Sequence, residues 1–232
     1  MKKSKLQYAS MNRKEKTLGI IWLVIQLFLG YLMGLANGLL PDPLKGSTLT
    51  FVTYLVNFLV IVCIFSRFLR DSLAAAWRGL WEFAQAVILG FVFYFACDWL
   101  LDKAFSYLLP SYTPLLDTSI SALSGGNRYL MIIGVVILAP VIEESLYRGL
   151  IFRNLLRKKK VLAYILSILA FAAVHVLGHI GAQDVAALVL CFLRYLPAGL
   201  CLAWTYAKAD NVFAPIVVHA IVNAISIGLV NT

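Results

Sequence analysis

Polar residues in this chain do not alternate with apolar ones; they separate long apolar runs. Seven runs stand out: Leu18 to Leu39, Leu49 to Leu69, Phe83 to Leu101, Tyr129 to about Leu156, Val161 to Leu177, Val185 to Tyr206 and Val212 to Val230. Several reach the roughly 20 residues that a helix rising about 1.5 Å per residue needs to cross a hydrocarbon core about 30 Å thick. Lipid offers backbone groups no partner and no barrel-like alternation is visible, so these runs are predicted to be helices. The expected fold is all-α, a polytopic transmembrane helix bundle of seven spans. Two spans are irregular. The fourth carries Pro140 followed by two carboxylates, which suggests a separate helix in its lower part; Pro197 and Gly199 invite a break in the sixth, and a break there makes the count eight. Arg70 to Trp81 reads as an amphipathic helix lying in the interface, with Trp77 and Trp81 one turn apart.

Composition agrees with the pattern. Apolar residues make up 62% of the chain and charged ones 13%, against about 25% charged in soluble domains, which excludes a water-soluble globule. Charge sets the expected orientation. With the N-terminus inside, sixteen of the 20 Lys and Arg residues fall on the cytoplasmic side, in Lys2 to Lys16, Arg67 to Arg78, Arg148 to Lys160 and at Lys208. Only Lys45, Lys103 and Arg128 fall outside, and Arg194 lies within a span. The net charge of +9 is thereby explained as a topology signal beside anionic lipid, with no nucleic-acid partner. The expected location is the cell membrane, multi-pass, with a cytoplasmic N-terminus. The apolar run after the basic start exceeds the h-region of a signal peptide, about 7 to 15 residues, and reads as an uncleaved anchor. Cys63, Cys97, Cys191 and Cys201 lie within spans without C-x-x-C spacing and read as reduced packing residues. Asp102 to Arg128, with Pro110, Pro114 and a Ser-Gly-Gly, reads as an outer loop covering the bundle. Residues 1–127 thus form an N-terminal membrane region of three spans and an outer loop, and 128–232 a second membrane region.

Ionisable groups inside lipid are expensive, about 2.5 to 3.5 kcal/mol each on insertion scales, so their positions carry the most information. They cluster in the second region: Glu143, Glu144 and Arg148 in the fourth span, and the three histidines His175, His179 and His219 in the spans that follow. Glu143 lies 15 residues from Lys158, His175 15 from Lys160 and His219 11 from Lys208. At about 1.5 Å per residue these are roughly 22, 22 and 16 Å, so three helices bring the groups to similar depth. Glu144 and Arg148, at i and i+4, share a face and pair, which assigns both mainly to structure and leaves Glu143 to face a site. A carboxylate without its own cation in a dry pocket is suited to taking a proton from water. His219 and Asn223, also i and i+4, present an imidazole and an amide that can donate to a developing oxyanion.

Glu-Glu-x-x-x-Arg at Glu143 to Arg148, Phe-x-x-x-His at Phe171 to His175 and His-x-x-x-Asn at His219 to Asn223 resemble, in order and spacing, the motifs of the CPBP family, the CaaX proteases and bacteriocin-processing enzymes also called the Abi family. The likeness spans about Tyr129 to Val230 and includes Trp204-Thr205-Tyr206 and Asn211 to Ile216, whereas the first 127 residues match no motif. The resemblance implies a catalytic core in 128–232 and an intramembrane endopeptidase. In it Glu143 and His175 activate a water, and His219 with Asn223 stabilises the oxyanion. The implied partners are the bilayer and a peptide or protein substrate, with a prenylated protein and a bacteriocin or pheromone precursor as the two classes. The family is described both as metalloprotease and as metal-free. Glu143, His175 and His219 could hold zinc with a water in the fourth position; the absence of an H-E-x-x-H helix and the Asn beside His219 favour no metal.

The sequence is also compatible with two other function classes. A proton-coupled transporter also places Glu and His at the midplane, but it usually repeats its halves, and here the titratable groups sit in one half. A bacteriocin self-immunity protein or a membrane scaffold without catalysis could keep the motifs as a fold signature. His179 reads as a boundary histidine near Gly178 and Gly181, Asp98 and Asp102 as interfacial residues at an outer helix end, and Arg194 as snorkelling or binding Asp184.

Overall fold

The computed structural model describes residues 9–110 and 127–230. The described residues form a helix bundle: α1 (Arg13–Gly38), α2 (Gly46–Ile64), α3 (Ser66–Arg78), α4 (Leu80–Leu108), α5 (Arg128–Leu156), α6 (Lys160–Leu177), α7 (Val185–Ala209) and α8 (Phe213–Val230). Six of these, all but α3 and α8, are long and apolar enough to cross a membrane, and α8 adds a shorter apolar stretch, Phe213–Gly228. The protein is a multi-pass membrane protein. Its apolar outer surface, including Ile20, Val24, Phe28 and Leu35 of α1 and Ile88 and Val92 of α4, suits contact with lipid rather than water.

Burial is uneven. Half of the apolar window of α5 is buried, against 11% for α1 and 6% for α2. α5 is therefore the central post, contacted by α1, α2, α6, α7 and α8. Its Leu138, Ile142, Leu146, Leu150 and Phe152 pack with Ile61, Phe65 and Phe68 from α2 and α3 and with Ala203, Tyr206 and Ile216 from α7 and α8. α6 and α7 approach closely at Gly199, where a Cβ atom would come within 3.2 Å of the Ile168 backbone. A side chain there would require the facing backbone to move back by a few tenths of an ångström.

The two irregular spans resolve differently from the expectation. α7 runs unbroken from Val185 to Ala209 with Pro197 inside it, and neighbouring helices in a bundle stabilise a proline there. The break that would have made an eighth span is absent. α5 is also continuous, but it widens twice into π-helical turns, Ile133–Leu138 and Ser145–Phe152, on either side of the short α-helical stretch Ala139–Glu144. Pro140 sits at the start of that stretch, where its missing N–H is accommodated by the change in hydrogen-bond step. A separate lower helix is therefore not formed.

The expected amphipathic helix forms but is shifted: α3 begins at Ser66, so the second apolar helix ends at Ile64 rather than Leu69, and Trp81 belongs to α4. α3 buries Phe68, Leu69, Ser72 and Ala76 and leaves Leu73 and Trp77 exposed. The segment before α1 is tied beneath it. Asn12 and Glu15 cap each other's backbone, and Glu15 Oε1 accepts from the Phe68 N–H at 3.0 Å. The third span extends to Leu108, shortening the predicted outer loop; Pro114 and the Ser-Gly-Gly of that loop lie outside the described residues.

Candidate active site

The short α-helical stretch between the two π-turns of α5 carries the adjacent carboxylates, and the local winding sends them apart. Glu144 is fully buried, and its Oε1 accepts from Arg148 Nη1 at 2.9 Å and from His219 Nδ1 at 3.0 Å. Arg148, also fully buried, donates through Nη2 to the Gly199 carbonyl at 3.1 Å and lies 4.3 Å above the Phe171 ring. α5, α7, α6 and α8 are therefore joined around one ion pair. The assignment of Glu144 and Arg148 to structure alone is too narrow, because Glu144 also orients His219. Its negative charge draws the Nδ1–H proton and leaves Nε2 as the free ring nitrogen.

Glu143 points elsewhere, as the spacing predicts, and its side chain is 21% exposed. Its Oε2 lies 3.6 Å from His175 Nε2 and has no hydrogen-bond partner among the described residues. His175 Nδ1 is 2.7 Å from the Phe171 carbonyl. A carbonyl only accepts, so Nδ1 carries the proton and Nε2 offers a lone pair beside the Glu143 carboxylate. The imidazole is stacked on Tyr195, with centroids 4.0 Å apart and planes at 25°, which fixes its orientation from the other side.

Asn223 has a second duty that spacing did not disclose. Its Nδ2 donates to the Val135 carbonyl at 2.9 Å. In the π-turn of α5 the Ala139 N–H reaches back five residues to Gly134. The next rung would join Val135 to residue 140, which is proline and has no N–H. Asn223 supplies the missing donor from α8, and its second amide hydrogen is left over.

These groups meet on one cavity of about 180 Å³, lined by Glu143, His175, His219 and Asn223 together with apolar residues and the phenols of Tyr54, Tyr94 and Tyr195. Tyr54 and Tyr94 come from α2 and α4, in the region where the sequence showed no motif; tyrosine in a span is so commonly interfacial or packing that nothing in the sequence marked them. His179 lies in the turn after α6 and does not line the cavity. Arg194 does not bind Asp184, which instead caps α7 by accepting from Ala187 N at 2.7 Å. Arg194 pairs across to α4, with Asp102 at 2.6 Å and Asp98 at 3.3 Å.

Among the described residues no three His, Cys, Asp or Glu side chains are grouped to hold an ion. His219 commits Nδ1 to Glu144 and His175 commits Nδ1 to Phe171, which leaves Nε2 of both rings free, the nitrogen through which a ligand set of Glu143, His175 and His219 would hold an ion. No chemical step is assigned to a metal.

A multi-pass helix bundle with a carboxylate, two oriented imidazoles and an amide on one buried cavity defines a membrane protein with an intramembrane polar site. Comparison with known proteins specifies it further. Residues 125–225 match a family model described as Rce1-like, type II CAAX prenyl endopeptidase Rce1-like. The UPF0177 protein YbdI of Lactococcus lactis subsp. lactis (strain IL1403) is 30% identical over 139 residues, covering 57% of this chain and 68% of the relative. No solved structure matches the chain. The chain belongs to the CPBP family, at the family level that of CAAX-type intramembrane proteases.

Proposed function

We propose that this protein is an intramembrane endopeptidase that hydrolyses a peptide bond of a membrane-associated or lipidated peptide with a metal-free, glutamate-activated water. The observation that carries the reading is the pair Glu143 Oε2 and His175 Nε2, 3.6 Å apart on the wall of the cavity, each facing the other as an acceptor. One water at ordinary hydrogen-bond distance, about 2.8 Å, reaches both atoms. Glu143 takes its proton while the oxygen attacks the scissile carbonyl, and the same carboxyl later returns the proton to the departing amine. The oxyanion is met by the second Nδ2 hydrogen of Asn223 and by His219 Nε2 when that nitrogen is protonated, with Glu144 holding the ring's other nitrogen and balancing its charge. Arg148, paired with Glu144 at 2.9 Å, holds that carboxylate in place for the task. The substrate classes are a prenylated protein end and a small bacteriocin or pheromone precursor; the family likeness supports the first and the compact cavity suits either.

Purified full-length protein and a set of fluorogenic membrane-associated peptides test the proposal. Cleavage is expected in the wild type and is expected to vanish in Glu143→Gln and in His219→Ala, with both variants still accumulating in the membrane. Full activity in Glu143→Gln would overturn the role of that carboxylate, and ion flux without cleavage would support a transporter instead.

A further inference from the structure

Four hydroxyl-bearing residues line the cavity and are not used by the hydrolytic scheme: Ser226 and three tyrosines, Tyr54 of α2, Tyr94 of α4 and Tyr195 of α7. All three tyrosines line the same cavity as the Glu143 carboxylate and the His175 and His219 imidazoles. The choice of tyrosine is informative because the same helices use phenylalanine where only an apolar ring is needed, at Phe51 and Phe58 of α2, Phe91, Phe93 and Phe95 of α4 and Phe192 of α7. A phenol in a low-dielectric bundle is disfavoured relative to phenylalanine unless its hydroxyl finds a hydrogen bond, and for one that lines a cavity the occupant can supply it. Tyr195 also shows that ring and hydroxyl have separate tasks, since its ring already stacks on His175 at 4.0 Å.

We propose that the hydroxyls of Tyr54, Tyr94 and Tyr195 form a rim that hydrogen-bonds the main chain of the substrate peptide on either side of the scissile bond. The proposal rests on the peptidase reading above and adds substrate-positioning residues to it, two of them from α2 and α4, outside the stretch 125–225 that matches the family model. A phenol suits a peptide main chain because it donates to a carbonyl and accepts from an N–H. Backbone recognition of this kind holds the peptide extended while tolerating varied side chains.

The test uses the full chain in lipid nanodiscs with a fluorogenic peptide that the wild type cleaves and Glu143→Gln does not. Tyr54→Phe, Tyr94→Phe, Tyr195→Phe and the triple variant keep every ring, including the stack on His175, and remove only the hydroxyls. Each single variant is expected to raise KM about 3- to 10-fold, the worth of one neutral hydrogen bond, with kcat within two-fold and the melting temperature unchanged; Tyr31→Phe on the outer face of α1 is expected to change neither constant. A second measurement replaces single backbone amides flanking the scissile bond by esters. The ester that weakens cleavage by the wild type is expected to lose its effect in the variant lacking the matching hydroxyl. Unchanged KM in all four variants alongside normal wild-type cleavage would overturn the rim and leave the peptidase reading intact, as would ester and Phe effects that simply multiply. If no peptide separates the wild type from Glu143→Gln, the peptidase reading falls and the rim falls with it.

Discussion

Two charged clusters in this protein each set one arginine against carboxylate and differ in where they sit. In the inner cluster Arg148 meets Glu144 at 2.9 Å with both side chains fully buried, and Glu144 also holds His219. In the outer cluster Arg194 meets Asp102 at 2.6 Å and Asp98 at 3.3 Å, with the two carboxylates 54% and 31% exposed. The outer pair is the shorter, yet distance does not rank them. An exposed pair is largely solvated whether or not it forms, whereas removing one partner of a buried pair strands a charge where nothing else solvates it. The inner cluster therefore bears on both folding and the site, and the outer one mainly tacks α7 to α4.

Arg148→Ala should show the largest effect on the protein itself. It leaves Glu144 buried without its cation, a loss of about 3 to 5 kcal/mol, and the expected outcome is a sharp fall in the amount of membrane-inserted protein, read by quantitative immunoblot beside Glu143→Gln as a stable control. Arg148→Lys is expected to recover only part of it, since an ammonium lacks the fork that spans Glu144 and the Gly199 carbonyl. Normal accumulation of Arg148→Ala would erase the contrast between the clusters.

Asn223→Ala comes next and sharpens the comparison by separating chemistry from packing. Losing one oxyanion donor lowers turnover by roughly 10²- to 10³-fold, while the Val135 carbonyl, left without its donor, costs about 1 to 3 kcal/mol. Single-turnover rates and thermal melts of the same sample measure the two separately. A melt that shifts while turnover stays normal would reduce Asn223 to a clamp on the π-turn.

Arg194→Ala is expected to change stability by less than about 1 kcal/mol and to leave turnover within two-fold, because its carboxylate partners remain in contact with solvent. A larger loss would mean that the outer cluster is coupled to the cavity through the neighbouring Tyr195. The smallest expected effect is that of metal removal: prolonged chelation should leave cleavage unchanged, and elemental analysis should find less than one zinc per chain. Inactivation that zinc alone reverses would recast Glu143, His175 and His219 as ligands.

Much of this was legible in the chain before folding is considered. The apolar runs determined a helical membrane bundle, since their length and the lack of backbone partners in lipid admit no other arrangement here. The depth of Glu143, His175 and His219 along their helices determined that these groups could meet, because a helix converts residue number into height. The i and i+4 spacing of Glu144 and Arg148 determined that they pair and that Glu143 turns away. Tertiary structure decided what spacing along one helix cannot encode. Whether Pro140 and Pro197 break their helices depended on which neighbours take up the freed backbone groups: Asn223 answers Val135 from another helix, and α7 stays continuous within the bundle. That Glu144 orients His219 depended on the rotation of α8 about its own axis. The phenols of Tyr54 and Tyr94 reached the cavity because α2 and α4 pack against the motif-bearing helices. Period and height are properties of single segments, whereas rotation and neighbourhood arise only when the segments pack.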